Sequence, residues 1–269
     1  MSFLRRPSGL WLYAIGFMIF VYGPVLLLPL FSLNDGTYAT FPIKALTLRH
    51  YGDMAANTSM IIALKNSLLV ATVVSVVSTA VAVPAALALS RYRLPGAGAI
   101  LGFMTLPLLI PSIVIAVALL IILLKLFGLP LSLWTVGAGH VLICIPFSMS
   151  VLMSRLEGFD PSLEEASRDL GCNGWQTFWR LTFPIAMPGV ISSLLMAFVV
   201  SFDEFVIAFF LSGTDTTLPI FLFSQLRFPN KLPGALALGS LILVGSAVLV
   251  VLAEVIRRRS AKSDNPGDI

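Results

Sequence analysis

The sequence predicts an all-α membrane protein that crosses the bilayer six times. Of its 269 residues, 58% are hydrophobic and only 11% are charged, and the mean hydropathy is +0.97. Soluble domains carry roughly 25% charged residues. Several apolar runs also reach the ~20 residues that a helix needs to cross a bilayer. A further observation locates the polar business of the chain. Five of its thirteen acids (Glu157, Asp160, Glu164, Glu165 and Asp169) lie in or just before one polar island, Phe159 to Pro184. The whole chain, 1–269, reads as a single transmembrane domain.

Composition also excludes several classes. The pI near 9.3 comes from Lys and Arg scattered between the apolar runs. That is the pattern of membrane orientation rather than nucleic-acid binding. Cys144 and Cys172 lie apart, one in an apolar run and one in the island, so neither metal-ligand spacing nor a disulfide is expected. His50 and His140 cannot build a metal cluster by themselves.

Taken in order, the first span is expected at about 10–33, after Arg5 and Arg6. It is long for a signal-peptide core, and Thr37-Tyr38-Ala39 is a poor cleavage site. Pro24 and Pro29 are expected to kink its outer half. Residues 34–65 are too polar to span and long enough for a short surface helix. The second span, 66–90, is rich in small residues that let helices approach closely. Arg91-Tyr92-Arg93 and Pro95-Gly96 form a basic turn.

The third span covers 99–127, broken near its start by Pro107 and Pro111, and Gly128-Leu129-Pro130 turns the chain. The fourth is 131–153, interrupted by Pro146. After the island the fifth is 188–211, then a loop carries Asp215, Arg227 and Lys231. The sixth, 236–256, ends in Arg257-Arg258-Arg259 and Lys262, with a polar tail expected to be disordered beyond Ser260.

Six spans place both termini on one side. That side then holds Arg5, Arg6, Arg91, Arg93, Arg155, Arg168, Arg180, Arg257, Arg258, Arg259 and Lys262, 11 of the 17 cations. The other holds Lys44, Arg49, Lys65, Lys125, Arg227 and Lys231. Loops rich in Lys and Arg stay in the cytoplasm, so both termini and the island (loop 155–184) are expected there.

Within the island, Asp160-Pro161 has the form of a helix start, with an acid at the N-cap and proline at the first helical position. Glu164 and Glu165 suit the positive end of that helix. Leu163, Ala166 and Leu170 make a narrow apolar edge, and Gly171 can take the left-handed conformation that ends the helix. After Asn173-Gly174 a second short helix carries Trp175, Phe178 and Trp179 on one face, and Pro184 and Pro188 are expected to bend the chain back into the bilayer. A hairpin resting on headgroups is the bland alternative. Such helices normally have a basic polar face, whereas the first helix here is acidic.

These residues resemble a known pattern. Glu165-Ala166-Ser167, Gly171 four residues later, then Leu181-Thr182-Phe183-Pro184 are similar to the Glu-Ala-Ala loop of bacterial ABC importer permeases. Ser167 replaces the second Ala, Leu181 replaces Ile and Phe183 replaces Leu. Asn66-Ser67, the run Phe202-Asp203-Glu204-Phe205-Val206-Ile207 and Thr217-Leu218-Pro219 resemble the polyamine (spermidine/putrescine) branch.

The resemblance implies a MetI-like importer permease fold in the bacterial inner membrane. It implies a coupling helix formed by Glu164, Glu165, Ala166, Ser167, Gly171 and Pro184, seated in a groove of a cytoplasmic ATP-binding subunit. The implied partners are two such subunits, a second permease (identical or not), a periplasmic binding protein and the lipid bilayer. The permease itself would be non-catalytic and without cofactor. It has no Gly-x-x-x-x-Gly-Lys-Ser/Thr loop, so ATP and Mg would sit on the partner.

Asp203 and Glu204 are adjacent acids inside an apolar run, where each costs at least ~2.5 kcal/mol and a functional role is the default expectation. Ser193, Ala197, Ser201 and Glu204 fall on one helical stripe, which turns Glu204 toward the bundle interior and Asp203 toward a neighbour. Ser201, Asp203 and Glu204 are therefore the candidate substrate path, with a purely structural role as the alternative. Two other functions compete. One is an importer permease for another solute (opine, iron, sulfate, phosphonate), and the other an ion-coupled secondary transporter, for which the island would have no purpose. An intramembrane enzyme using His140 and Ser148 is excluded by their separation of roughly 12 Å along one helix.

Overall fold

The computed structural model describes residues 9–36, 41–43, 45–91, 94–156, 160 and 162–263, with side chains undescribed at 246 and 249–263. Expectations for Arg5-Arg6, Thr37-Tyr38-Ala39, Lys44, Tyr92-Arg93, Glu157, Phe159, Pro161 and the last six residues lie outside that set, as do those for the side chains of Arg257 to Arg259 and Lys262. The chain forms two compact units, one of residues 1–58 and 222–269, the other of residues 59–221.

In the first unit, α1 (Gly9–Ser32) presents an almost wholly exposed apolar surface, which a bilayer would cover. The helix continues unbroken past Pro24 and Pro29. The chain after it folds onto the short helix α2 (Arg49–Ala55) expected in the 34–65 segment. Ser32 Oγ and Tyr51 Oη lie 2.6 Å apart, and His50 Nε2 lies 3.0 Å from the Asn34 carbonyl. Asp35 pairs with Arg49 at 3.4 Å on the surface.

The second unit begins within α3 (Thr58–Arg91), 34 residues and so about 51 Å long at ~1.5 Å per residue. It starts eight residues before the expected span (58 against 66), taking Thr58 to Lys65 into the helix. Next come α4 (Ala97–Leu109) and α5 (Ser112–Ile121), the latter continued by a π turn, Ile122–Leu126. The two are bent by 97° at Ile110-Pro111. The proline there leads α5 rather than sitting within it, because the residue before a proline is driven to extended backbone. Pro107, in contrast, stays inside α4.

Helix α6 (Leu133–Leu156) packs against α9 (Phe183–Asp203), which is preceded without a break by α8 (Gly174–Thr177) and a π turn, Phe178–Thr182. Helix α7 (Ser162–Asp169) lies between α6 and α8 in the chain. After α9 come α10 (Val206–Leu211) and α11 (Leu218–Leu226), then α12 (Leu232–Ser263), which packs on α1 and α2.

Small and polar residues explain the α6–α9 contact. His140 Nδ1 lies 2.8 Å from Ser201 Oγ, and Cys144 Sγ lies 3.6 Å from the Ala197 carbonyl. Four residues further along each helix, the register sets Ser148 opposite Ser193, both fully buried. Beyond them a Cβ on Gly189 would touch the Arg155 side chain at 3.1 Å, with Leu152 at 3.7 Å. The α9 face is thus Gly189, Ser193, Ala197 and Ser201, the small-residue spacing by which helices approach where lipid supplies no hydrophobic drive. Thr79 of α3 joins the seam through Ser193 at 3.0 Å.

Among the described residues, α1, α3, α6 and the continuous helix Gly174–Asp203 are each long and apolar enough to span, and the bent α4–α5 pair makes a fifth if it is one span. The sixth expected span coincides with α12, which is 32 residues long and runs to Ser263, past the point where a disordered tail was expected.

Candidate functional site

The polar island builds its first helix much as its sequence directs. The Ser162 amide donates to Asp160 Oδ1 at 2.9 Å, an N-cap that satisfies one of the free amides of α7. These bonds from Ser162, backbone first and side chain second, hold the Asp160 carboxyl below its ordinary range. At the other end the Gly171 amide donates to the Arg168 carbonyl at 2.8 Å, and the Cys172 amide to the Ser167 carbonyl at 3.1 Å. With Gly171 at φ +87°, this is a Schellman ending. Asn173 then starts α8 with a reciprocal cap: the Gln176 amide donates to Asn173 Oδ1 at 2.9 Å, and the Asn173 amide to Gln176 Oε1 at 3.0 Å.

The two faces of α7 have different fates. Glu165, Ala166, Arg168 and Asp169 are exposed, and so is the apolar edge, with Leu170 87% exposed. Glu164 and Ser167 turn inward. The Thr182 hydroxyl donates to Glu164 Oε1 at 2.7 Å, and the same oxygen lies 3.2 Å from Arg91 Nη2. Ser167 Oγ lies 3.1 Å from Thr177 Oγ1. Trp175, Phe178, Trp179 and Phe183 form a contiguous aromatic ladder beside them, with Trp175 71% exposed.

Pro184 does not interrupt the helix. It sits exposed directly after a widened turn, in which the Phe183 amide donates to the Phe178 carbonyl. The second island helix therefore runs straight into the span from Gly174 to Asp203. The helix that contains the expected span five thus begins at Gly174, ahead of Pro188. Pro188 is carried inside α9, as prolines are when neighbours re-satisfy the backbone.

The three candidate path residues have separate settings. Ser201 is buried against His140 in the α6–α9 seam. Asp203 is the exposed last residue of α9. Glu204 was expected to continue the helical stripe, but α9 has already ended. Its backbone is extended (φ −71°, ψ 110°), and its carboxylate accepts from the Val206 amide at 3.0 Å and the Ile207 amide at 3.2 Å. The acid caps α10. The span expected to run through to 211 is broken there.

The segment beyond is pinned by residues noted in the sequence only as a resemblance. Asn66 Nδ2 donates to the Thr216 carbonyl at 2.9 Å, and the Leu218 amide donates to Ser67 Oγ at 2.8 Å. Thr135 Oγ1 donates to the Leu211 carbonyl at 2.7 Å. Gly213, at φ +60°, has no room for a Cβ, which would lie 2.5 Å from the Leu131 carbonyl oxygen. Sequence reasoning did not single out Arg91, Thr177 or Thr182 as partners of α7. The available signal was that Thr182 belongs to the Leu-Thr-Phe-Pro motif and Arg91 is the first cation after span two.

Among the described residues no group of three His, Cys, Asp or Glu side chains is placed to hold a metal ion. The Ser201 hydroxyl, 2.8 Å from the His140 imidazole, is buried in the α6–α9 seam, away from the island. The described residues thus present an exposed face on α7 and a capped break beside an exposed acid after α9.

Comparisons with known proteins agree with this geometry. Residues 78–262 match the family described as "Binding-protein-dependent transport system inner membrane component". The chain is 32% identical over 259 residues to the spermidine/putrescine transport system permease protein PotC of Haemophilus influenzae, covering 96% of this chain and 98% of that one. It is also 32% identical over 266 residues to the putrescine transport system permease protein PotI of Escherichia coli, covering 96% and 94%. The fold resembles a solved bacterial ABC transporter involved in import of the acidic polysaccharide alginate, with TM-score 0.69, 18% identity and coverage of 94% and 99%. A second structure, of that kind of transporter in complex with a periplasmic protein bound to alginate pentasaccharide, gives TM-score 0.72 at 18% identity. The chain belongs to the inner-membrane components of binding-protein-dependent transport systems and is the membrane permease of an ABC importer.

Proposed function

We propose that this permease moves putrescine and spermidine inward across the bacterial inner membrane, as one non-catalytic subunit of a larger machine. The observation that carries the mechanical part is the division of α7. One face is consumed by bonds to its own chain, while Glu165, Ala166 and the apolar edge stay exposed. Small Ala166 lets a partner backbone approach, and Glu165 is free to meet a partner cation. That face fits a groove on a cytoplasmic ATP-binding subunit, with N- and C-termini on the same side as α7.

In this reading ATP and Mg bind the partner subunits, two of which serve a pair of permeases, identical or not. Closure of the partners displaces α7. The unbroken helix from Gly174 to Asp203 extends about 45 Å at ~1.5 Å per residue, long enough to carry that displacement to the other membrane face. There a periplasmic binding protein delivers the substrate. Asp203 is the exposed carboxylate at that end, suited to an amine losing part of its hydration. Glu204 holds the local backbone by capping α10. Ser201 belongs to the packing seam.

The substrate class is supported by the names of the two relatives, each 32% identical along nearly the whole chain. The test is uptake of labelled putrescine and spermidine by a strain lacking this permease, with and without the gene restored. Restored uptake of either amine supports the proposal. Unchanged uptake of both contradicts it.

A further inference from the structure

We propose that Arg91, Glu164 and Thr182 form a joint that carries the motion of α7 into α3, so that the coupling element drives the second span as well as those flanking the island. The proposal rests on the reading that α7 meets an ATP-binding subunit. It adds a receiver that the loop motif does not contain.

The geometry centres on one carboxylate oxygen. Glu164 Oε1 accepts from the Thr182 hydroxyl at 2.7 Å and lies 3.2 Å from Arg91 Nη2. The Arg91 and Glu164 side chains are only 12% and 17% exposed, and Thr182 is 4% exposed. An ion pair so shielded is not a loose surface contact, because breaking it strands a charge that water cannot fully recover. The three residues sit on three elements: the last residue of α3, the first turn of α7 and the end of the π turn that enters α9. Any displacement of α7 must move all three or break the pair.

The π turn gives the joint its second contact. Thr177 and Thr182 are five residues apart, which on an ordinary α-helix puts them about 140° apart around the axis. A π turn closes i to i+5 bonds and brings residues at that spacing toward one face. Here both hydroxyls meet the same helix, Thr177 reaching Ser167 at 3.1 Å and Thr182 reaching Glu164. The widened turn thus aligns the base of α9 with the inward face of α7. Glu165 and Asp169 remain exposed for a partner, so Glu164 is not needed there. Arg91, Glu164 and Thr182 are positioning residues.

The test uses the importer assembled with its ATP-binding subunits and binding protein in lipid nanodiscs. Variants are R91E, E164R, the R91E/E164R pair, E164Q and T182V. Readouts are co-purification of the ATP-binding subunits and the ratio of substrate-stimulated to basal ATPase rate. Loss of a coupling contact of ordinary strength is worth about fivefold or more, so each charge reversal is expected to lower the ratio by at least about fivefold while the subunits still co-purify. The pair is expected to recover at least half of the wild-type ratio, a result that a merely structural lesion would not give. E164Q, which keeps the shape and hydrogen-bonding oxygen, lowers the ratio without loss of folded permease, and T182V lowers it by a smaller factor. A wild-type ratio in R91E, E164R and E164Q overturns the joint, as does a pair no better than either single variant. If the wild-type permease retains no ATP-binding subunit, the reading of α7 fails instead and takes the joint with it.

Discussion

Glu204→Ala removes the acceptor of two amides at the break between α9 and α10. Val206 N and Ile207 N donate to Glu204 Oε1 at 3.0 and 3.2 Å. A hydrogen bond of this kind is worth about 1 kcal/mol net, so losing both destabilises the start of α10 by roughly 2 kcal/mol, and by about twice that if the orphaned amides stay dry. Roughly 2 kcal/mol corresponds to about a thirtyfold rise in the open population. Amide exchange reports such local opening directly. Hydrogen exchange at Val206 and Ile207 in the purified permease should therefore accelerate by about thirtyfold in Glu204→Ala. Glu204→Gln keeps an acceptor oxygen and loses only the charge-assisted part, so its exchange should stay within roughly fivefold of wild type. If Glu204→Ala exchanges like wild type, the carboxylate is not the cap and the break has another cause. If Gln and Ala behave alike, the charge rather than the geometry holds the turn.

Three further outcomes follow from single positions. Gly171→Val forces a β-branched residue to φ +87°, where a Cβ meets no neighbour but the backbone itself costs about 1–2 kcal/mol or more. The permease should insert at normal abundance while uptake and ATPase stimulation fall, and normal values for both would contradict the coupling role of this turn. Gly139→Ala places a Cβ 2.6 Å from Ile207 Cγ2 and 2.9 Å from Leu211 Cδ1, and overpacking of this kind costs about 1–3 kcal/mol. Thermal unfolding in detergent should drop for Gly139→Ala but not for Gly137→Ala, whose Cβ meets only Val74 Cγ2 at 3.9 Å. Asp203→Asn should lower uptake of both amines severalfold at unchanged abundance, and unchanged uptake per permease would remove Asp203 from the substrate path.

Much of the architecture was legible because the local signals were strong. Asp160 caps α7, Gly171 ends it in the left-handed region and Asn173 opens the next helix, all from residue types whose backbone preferences act within a few residues. The apolar runs likewise located the long helices. What was not legible depends on distant or competing groups. Nothing in the sequence around Ser201 to Phe205 breaks a helix by composition. The chain leaves α9 there because the Glu204 carboxylate caps the amides of α10. Pro184 and Pro188 looked like a bend, yet the π turn and the bundle absorb them within one helix. The inward face of α7 could not be told from its outward face by periodicity, since Glu164 and Glu165 are neighbours of the same type. Arg91 and Thr182, both distant in sequence, decide which of them is consumed.

The central claim is that the exposed face of α7 docks on an ATP-binding subunit. Cysteines introduced one at a time at Glu165, Ala166 and Ser167, in a Cys172→Ser background where the other native cysteine, Cys144, is buried, can be tested for cross-linking to that subunit in the assembled importer. E165C and A166C should cross-link, and S167C, whose native side chain turns toward Thr177, should not. No cross-link from E165C or A166C in an intact complex, or a stronger one from S167C, would contradict the claim.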